Sequence, residues 1–151
     1  MIRKAEMKDL SAMMKLGKEF WVQTKYYKDW NIPYHGPSVA QHATDCINMG
    51  ATFIDEQDGE VAGMILIYIS RFPMDYRKLS ATEWVFYVEP TKRGGKTAVA
   101  LLEAAEAALK DMGVKLFSMV SLSNVTPERA EKLYEHLGFQ HSETGFTKEV
   151  L

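Results

Sequence analysis

The stretch 81–121 constrains the fold more than any other. It opens with "ATEWVFYV", β-branched and aromatic as strands are. "EPTKRGGK" follows, and then Ala98, Leu102, Ala105, Leu109 and Met112 recur on one helical face, with Glu103, Glu106 and Lys110 on the other. Gly113 is the expected terminator of that helix, and "VKLFSMVSL" reads as a buried strand. Strand, loop, helix, strand is a βαβ unit. A helix crossing between two strands returns the chain parallel, so the sheet must contain at least one parallel pair.

The flanking segments supply antiparallel strands and more helix. "MIRKA" reads as a first strand, and "DLSAMMKLGKEFWVQTKYYK" as a helix with Leu10, Met13, Met14, Gly17, Phe20 and Trp21 on one face and Asp9 as its N-cap. After the turn-rich "DWNIPYHGP", Val39 to Met49 reads as a second helix. "ATFIDEQDGEVAGMILIYIS" holds two strands joined at Asp58-Gly59, because glycine accepts the positive φ that tight hairpins need. "RFPMDYRKLS" reads as a polar connection into the fourth strand. Thr126 and Pro127 open a last helix whose stripe is Ala130, Leu133 and Leu137, Gly138 stops it, and "FTKEVL" reads as a closing strand. The expected order is β-α-α-β-β-β-α-β-α-β, an α/β chain around a mixed sheet. With 151 residues and no internal repeat or linker, residues 1–151 are expected to form one domain.

Composition narrows the function. A formal net charge of -2 argues against broad attraction to nucleic acid or membrane. No apolar run reaches the roughly 18 residues of a membrane helix, and "MIRKAEMKDL" is charged where a signal peptide would be apolar, so a cytoplasmic protein is expected. The single cysteine, Cys46, reads as a small buried hydrophobe. His35, His42, His136 and His141 lack ligand-like spacing, and no metal is expected.

The loop between the fourth strand and its helix carries the chemistry. Gly95-Lys96-Thr97 matches the end of a nucleotide-binding P-loop, but Pro90 stands where that motif opens with glycine, and no Asp ends the following strand to hold magnesium. What remains is a strand end, two glycines and a helix N-terminus whose N–H groups and dipole favour an anion, with Lys92, Arg93 and Lys96 adding positive charge. A tight turn with solvated cations would look the same.

"YVEPTKRGGKTAVALLEAAE" resembles the acetyl-CoA-binding loop of the GNAT superfamily of N-acetyltransferases, [QR]-x-x-G-x-[GA] opening a helix after a strand. Arg93 and Ala98 match its ends, and Lys96 stands in place of the central glycine. Independently, "AEKLYEHLGF" resembles the family's "A-x-x-L-Y-E-x-x-G-F" near the C-terminus, and "IRKAEMKDLSAMM" its usual start.

The resemblance implies a GNAT fold and an acetyl-CoA-dependent N-acetyltransferase acting on a primary amine in one ternary complex. Glu83 would be the general base and Tyr134 the acid that protonates the leaving thiolate. Phe86, Tyr87 and Val88 would meet the pantetheine arm. Arg93, Gly94, Gly95, Lys96, Thr97 and Ala98 would hold the pyrophosphate, with Asn124 nearby. Trp21, Tyr26, Tyr27, Trp30 and Tyr34 fall where such proteins often line the acceptor side; core packing or a dimer surface would also explain them. A homodimer fits the family pattern. The acceptor's identity is left open, as is the alternative of a non-catalytic acyl-CoA-binding module.

Overall fold

The computed structural model describes residues 1–123 and 125–151. Its elements are β1 (Ile2–Lys4), α1 (Leu10–Trp21), α2 (Lys25–Lys28), α3 (Gly36–Met49), β2 (Phe53–Gln57), β3 (Glu60–Phe72), β4 (Asp75–Val88), α4 (Thr97–Asp111), β5 (Val114–Ser118) and α5 (Pro127–His136). The strands lie in chain order, antiparallel from β1 to β4 and parallel between β4 and β5. The mixed sheet required by the βαβ unit is present.

Alternation along β3 divides the core between the two faces of the sheet. Ile65 and Ile67 pack with Leu101, Leu102, Ala105 and Leu109 of α4. Met64 and Leu66 pack with Met13 and Leu16 of α1 and with Ala43 and Cys46 of α3. Cys46 is fully buried, and burial pushes its thiol up to about 12, so it behaves as the inert hydrophobe expected. Gly63 sets the height of α4 above the sheet: a Cβ there would come within 3.2 Å of Thr97 Cγ2 and 3.3 Å of Leu101 Cδ1. Asp58 (φ 51°) and Gly59 (φ 77°) form the two-residue hairpin predicted between β2 and β3.

Several expectations need correction. "RFPMDYRKLS" is not a connector: β3 and β4 run on through it as a ribbon, Arg71 pairing with Leu79 and Phe72 with Asp75. Most of its side chains are exposed, so no apolar alternation marked it as strand. Asp9 makes no N-cap bond to α1; its carboxylate closes the preceding turn on the Glu6 N–H at 2.8 Å and pairs with the Arg3 guanidinium. α1 stops at Trp21, and Thr24 leads into the separate short α2. α3 starts earlier than expected, at Gly36, where His35 accepts from Ser38 N–H. Thr126 precedes α5 with a left-handed backbone and no capping hydrogen bond. β5 is half-exposed rather than buried, since only β4 pairs with it. No strand forms from "FTKEVL": Phe146 is 94% exposed and Val150 83%, so this segment has no neighbour to pair or pack against.

Candidate active site

The two edges of β4 part company halfway along the strand. From Leu79 to Thr82 it is paired on both sides, to β3 and, through Val114–Ser118, to β5. Beyond the Thr82–Ser118 pair the chain of β5 turns away while β4 continues on β3 alone. A cavity of about 630 Å³ opens in the fork, lined by the far half of β4, residues 120–122, α5 and the loop before α4. The β3–β4 register slips at this point. Leu66 faces Val85 and Ile67 faces Glu83, so Trp84 is an extra residue, a β-bulge of the kind that re-aims a side chain.

Glu83 sits at the crotch of the fork, in mid-strand rather than at the strand start expected from sequence. It is 9% exposed, and its Oε2 accepts the Val120 N–H at 3.2 Å. That amide lies just past the end of the ladder, and the carboxylate takes the place of a lost strand partner. Burial raises the Glu83 pKa to about 7, because the charged form loses hydration that one backbone donor only partly replaces.

Tyr134 reaches the same residue from α5. Its hydroxyl donates to the Val120 carbonyl at 3.0 Å. Burial, and secondarily the Glu83 charge, pushes its pKa above the ordinary phenol value, so it holds its proton throughout the neutral range. α5 delivers Tyr134 here because Gly138 (φ 89°) ends the helix and turns Phe139 back onto it, with rings 5.9 Å apart. Glu83 and Tyr134, distant in sequence, thus grip the N–H and the C=O of one residue.

The open edge of β4 presents backbone groups to the cavity. Glu89 N–H donates to Ala62 O across the Gly63–Val88 pair. By antiparallel alternation the N–H and C=O of Val88 and Phe86 point away from β3, toward the fork. Tyr87 lines the cavity, but its main chain faces β3, and its ring packs under Phe20 and Arg93.

The loop differs from a row of free cations. Arg93 is folded back, its Nε donating to Val88 O at 2.8 Å and its guanidinium 5.2 Å from the Tyr87 ring centroid. Lys96 is exposed and is not among the residues lining the cavity. Lys92, Gly94, Gly95, Thr97 and Ala98 line it; Gly94 is left-handed (φ 88°), and a Cβ on either glycine would meet nothing within 4 Å. Thr97 gives its hydroxyl to Asp55 at 2.8 Å, and Pro90 begins a tight turn, so neither serves as the matching part of a P-loop does. Asn124 lies outside the described residues.

Of the aromatic group, Trp21 and Tyr26 stack 5.6 Å apart and line the cavity, and Trp30 meets Tyr26 edge-on, while Tyr27 is exposed. Tyr34 bonds Met14 O and lines a second cavity. The sequence reading missed Val120, whose contribution is entirely backbone, and Arg129, which lines the fork from α5 without a motif to mark it. Among the described residues no group of three His, Cys, Asp or Glu could hold a metal, and no helix is long and apolar enough to cross a membrane.

The fold recurs in solved acetyltransferases. A predicted acetyltransferase of Clostridium acetobutylicum, crystallised with acetyl-CoA, superposes with a TM-score of 0.76 at 20% identity, covering 99% of this chain and 95% of that one. An aminoglycoside acetyltransferase from an uncultured soil metagenomic sample gives 0.73 at 17% identity, covering 100% and 98%. The glucosamine-6-phosphate N-acetyltransferase of Arabidopsis thaliana gives 0.74 at 15%, covering 99% and 97%. No curated protein matches the chain by sequence. The acetyltransferase (GNAT) family model matches residues 16–139, and the chain belongs to that family. By class it is an acyltransferase.

Proposed function

We propose that the chain transfers an acetyl group from acetyl-CoA to a primary amine by direct attack within one ternary complex. The observation that carries this reading is the pairing of Glu83 and Tyr134 on Val120 at the fork. A primary amine, with a pKa of about 10, is protonated at neutral pH and must lose a proton before it can attack. Glu83, with a pKa near 7, is matched to accept that proton, directly or through a water. Tyr134, which keeps its proton, supplies it to the departing thiolate.

The residues around the fork suit the donor. Acetyl-CoA, when bound, supplies a thioester whose carbonyl carbon takes the amine while the thiol leaves. The backbone groups of Phe86 and the N–H of Val88, whose carbonyl is taken by Arg93, offer a strand-like edge for its pantetheine arm and an N–H to polarise the thioester carbonyl. The amides of Gly94 to Ala98, at the N-terminus of α4, suit a pyrophosphate, with Lys92 and Arg93 adding charge. A module that only bound acyl-CoA would have no use for a buried carboxyl with a single donor among the described residues. The acceptors named for the structural neighbours, an aminoglycoside and an amino-sugar phosphate, differ from each other and do not choose one for this chain.

Thermal unfolding with acetyl-CoA, free CoA and magnesium ATP in parallel tests the reading, because a ligand that binds only the folded state raises its midpoint. A shift with acetyl-CoA and CoA and none with ATP is expected. A shift with ATP alone would overturn it.

A further inference from the structure

We propose that the acceptor is a small primary amine on an uncharged apolar body, held in a second cavity between α1, α3 and the sheet. The cavity measures about 350 Å³ and adjoins the fork, since Phe20, Trp21 and Trp84 line both. That volume lies within the range of small-molecule sites, roughly 300–1,000 Å³. The inference rests on the acetyl-transfer reading, and it names the substrate class.

The chemistry of the walls decides the class. None of the described residues lining the second cavity is Asp, Glu, Lys or Arg. Of its polar side chains, Tyr34 donates to Met14 O at 2.7 Å, Trp21 Nε1 donates to Ile32 O at 2.8 Å, and His35 Nδ1 and Ser38 Oγ, both exposed, bond each other at 2.8 Å. The rest of the lining is apolar, Met13, Met14, Val39, Ala43, Met64 and Leu66 among it. A polyamine or aminoglycoside would bring further ammonium groups with no carboxylate to meet them. A sugar phosphate would bring an anion with no Lys or Arg to meet it, only the exposed His35. An uncompensated charge in such a cavity is strongly disfavoured, which is specificity by exclusion.

The bulge supplies the link to the chemistry. Trp84, the extra residue of β4, stands at the boundary of the two cavities and is the chain neighbour of Glu83. An incoming ammonium passes Phe20, Trp21 and Trp84, aromatic rings that line both cavities and can attract a cation, before it gives its proton to Glu83. The apolar body stays behind in the second cavity, against α3.

Two readouts separate this inference from the reading it rests on. The first is CoA thiol release with phenethylamine, spermidine, kanamycin, glucosamine phosphate and a short peptide. The second is quenching of tryptophan fluorescence by phenethylamine without acetyl-CoA. Phenethylamine is expected to exceed the others by about 100-fold in kcat/KM and to quench saturably. Val39→Phe, which fills the cavity, should raise the phenethylamine KM about tenfold while the midpoint shift with acetyl-CoA stays. Val39→Glu should lower phenethylamine turnover and raise that of spermidine. Quenching without turnover of any amine would support the cavity and sink acetyl transfer. Preference for spermidine, kanamycin, the sugar phosphate or the peptide would overturn the inference and leave acetyl transfer standing. Absence of both quenching and phenethylamine turnover would overturn it as well.

Discussion

Among the described residues Asp9, Asp55 and Glu83 are the buried carboxylates, and the two that stand on strands, Asp55 on β2 and Glu83 on β4, titrate in opposite directions. Asp55 is 4% exposed and Glu83 9%, so burial penalises the charge of both. Asp55 answers with three donors: the Met1 amino group at 2.8 Å, Gln57 Nε2 at 2.7 Å and the Thr97 hydroxyl at 2.8 Å. Burial pushes its pKa up, those bonds together outweigh burial, and the result lies below the ordinary value. Glu83 has one backbone N–H, burial wins, and its pKa rises to about 7. The difference is the number of donors. Asp55 is a joint that ties β2 to the first turn of α4, whereas Glu83, with one donor among the described residues, stands at the cavity.

Glu83→Gln gives the largest expected effect. It should lower turnover by a factor of about 100 to 10,000, the range of a lost general base. The inflection near pH 7 in the rate profile should disappear with it, while acetyl-CoA still raises the unfolding midpoint. If the pH profile keeps that inflection in the variant, the base lies elsewhere and the contrast with Asp55 loses its meaning.

Asp55→Ala should do the reverse. It strands the Thr97 hydroxyl and the Gln57 amide and loosens the start of α4, at a cost of roughly 3 kcal/mol in denaturant unfolding. Turnover per folded molecule should change less than threefold. A large fall in kcat with unchanged stability would give Asp55 a part in catalysis and erase the distinction.

Titrating stability against pH sharpens the same comparison. Below the unfolded pKa of about 4.5 Glu83 is protonated in both states. As pH rises toward 7 the unfolded chain releases that proton while the folded chain keeps it, so Glu83's contribution is lost with rising pH and is gone above about 7. Asp55, with its depressed pKa, contributes above the unfolded value and loses that contribution as pH falls through the folded one. Glu83→Gln should therefore flatten the fall in the unfolding midpoint between pH 5 and 8, by roughly 5 °C. An equal slope in wild type and variant would remove the raised pKa from the account.

Much of this was legible before any coordinates, and what was not has a common cause. The hairpin at Asp58-Gly59, the βαβ unit and α5 with Tyr134 follow from residue types that act locally: glycine at positive φ, apolar period, a stop signal. The ribbon at Arg71 and Leu79 was hidden because most of its side chains face solvent. "FTKEVL" looked like a strand because propensity says nothing about whether a partner is present. Glu83 and Tyr134 could be named, but not what brings them together, since Val120 joins them through main-chain atoms that carry no sequence signal. Arg93 was legible as a cation and not as a clamp on Val88 and Tyr87. Thr97 was legible as part of the loop, yet its hydroxyl belongs to Asp55.

The smallest expected effect probes Val120 from its other side. Tyr134→Phe keeps the ring, its packing against Phe139 and the shape of α5, and removes only the hydroxyl that donates to the Val120 carbonyl. If Tyr134 protonates the departing thiolate, turnover should fall about tenfold, equivalent to roughly 1.4 kcal/mol in the barrier. KM for acetyl-CoA should hardly move, because the donor's proposed contacts are to β4 and the loop. If the hydroxyl merely holds Val120 in place, its loss would shift the amide bonded to Glu83 and alter that carboxyl's surroundings, so the inflection near pH 7 would move with the rate. A slower enzyme with an unmoved inflection assigns Tyr134 to the leaving group; a moved inflection makes it a positioning residue for the base. An unchanged rate would remove Tyr134 from the proposed chemistry and leave Glu83→Gln as the test of the fork.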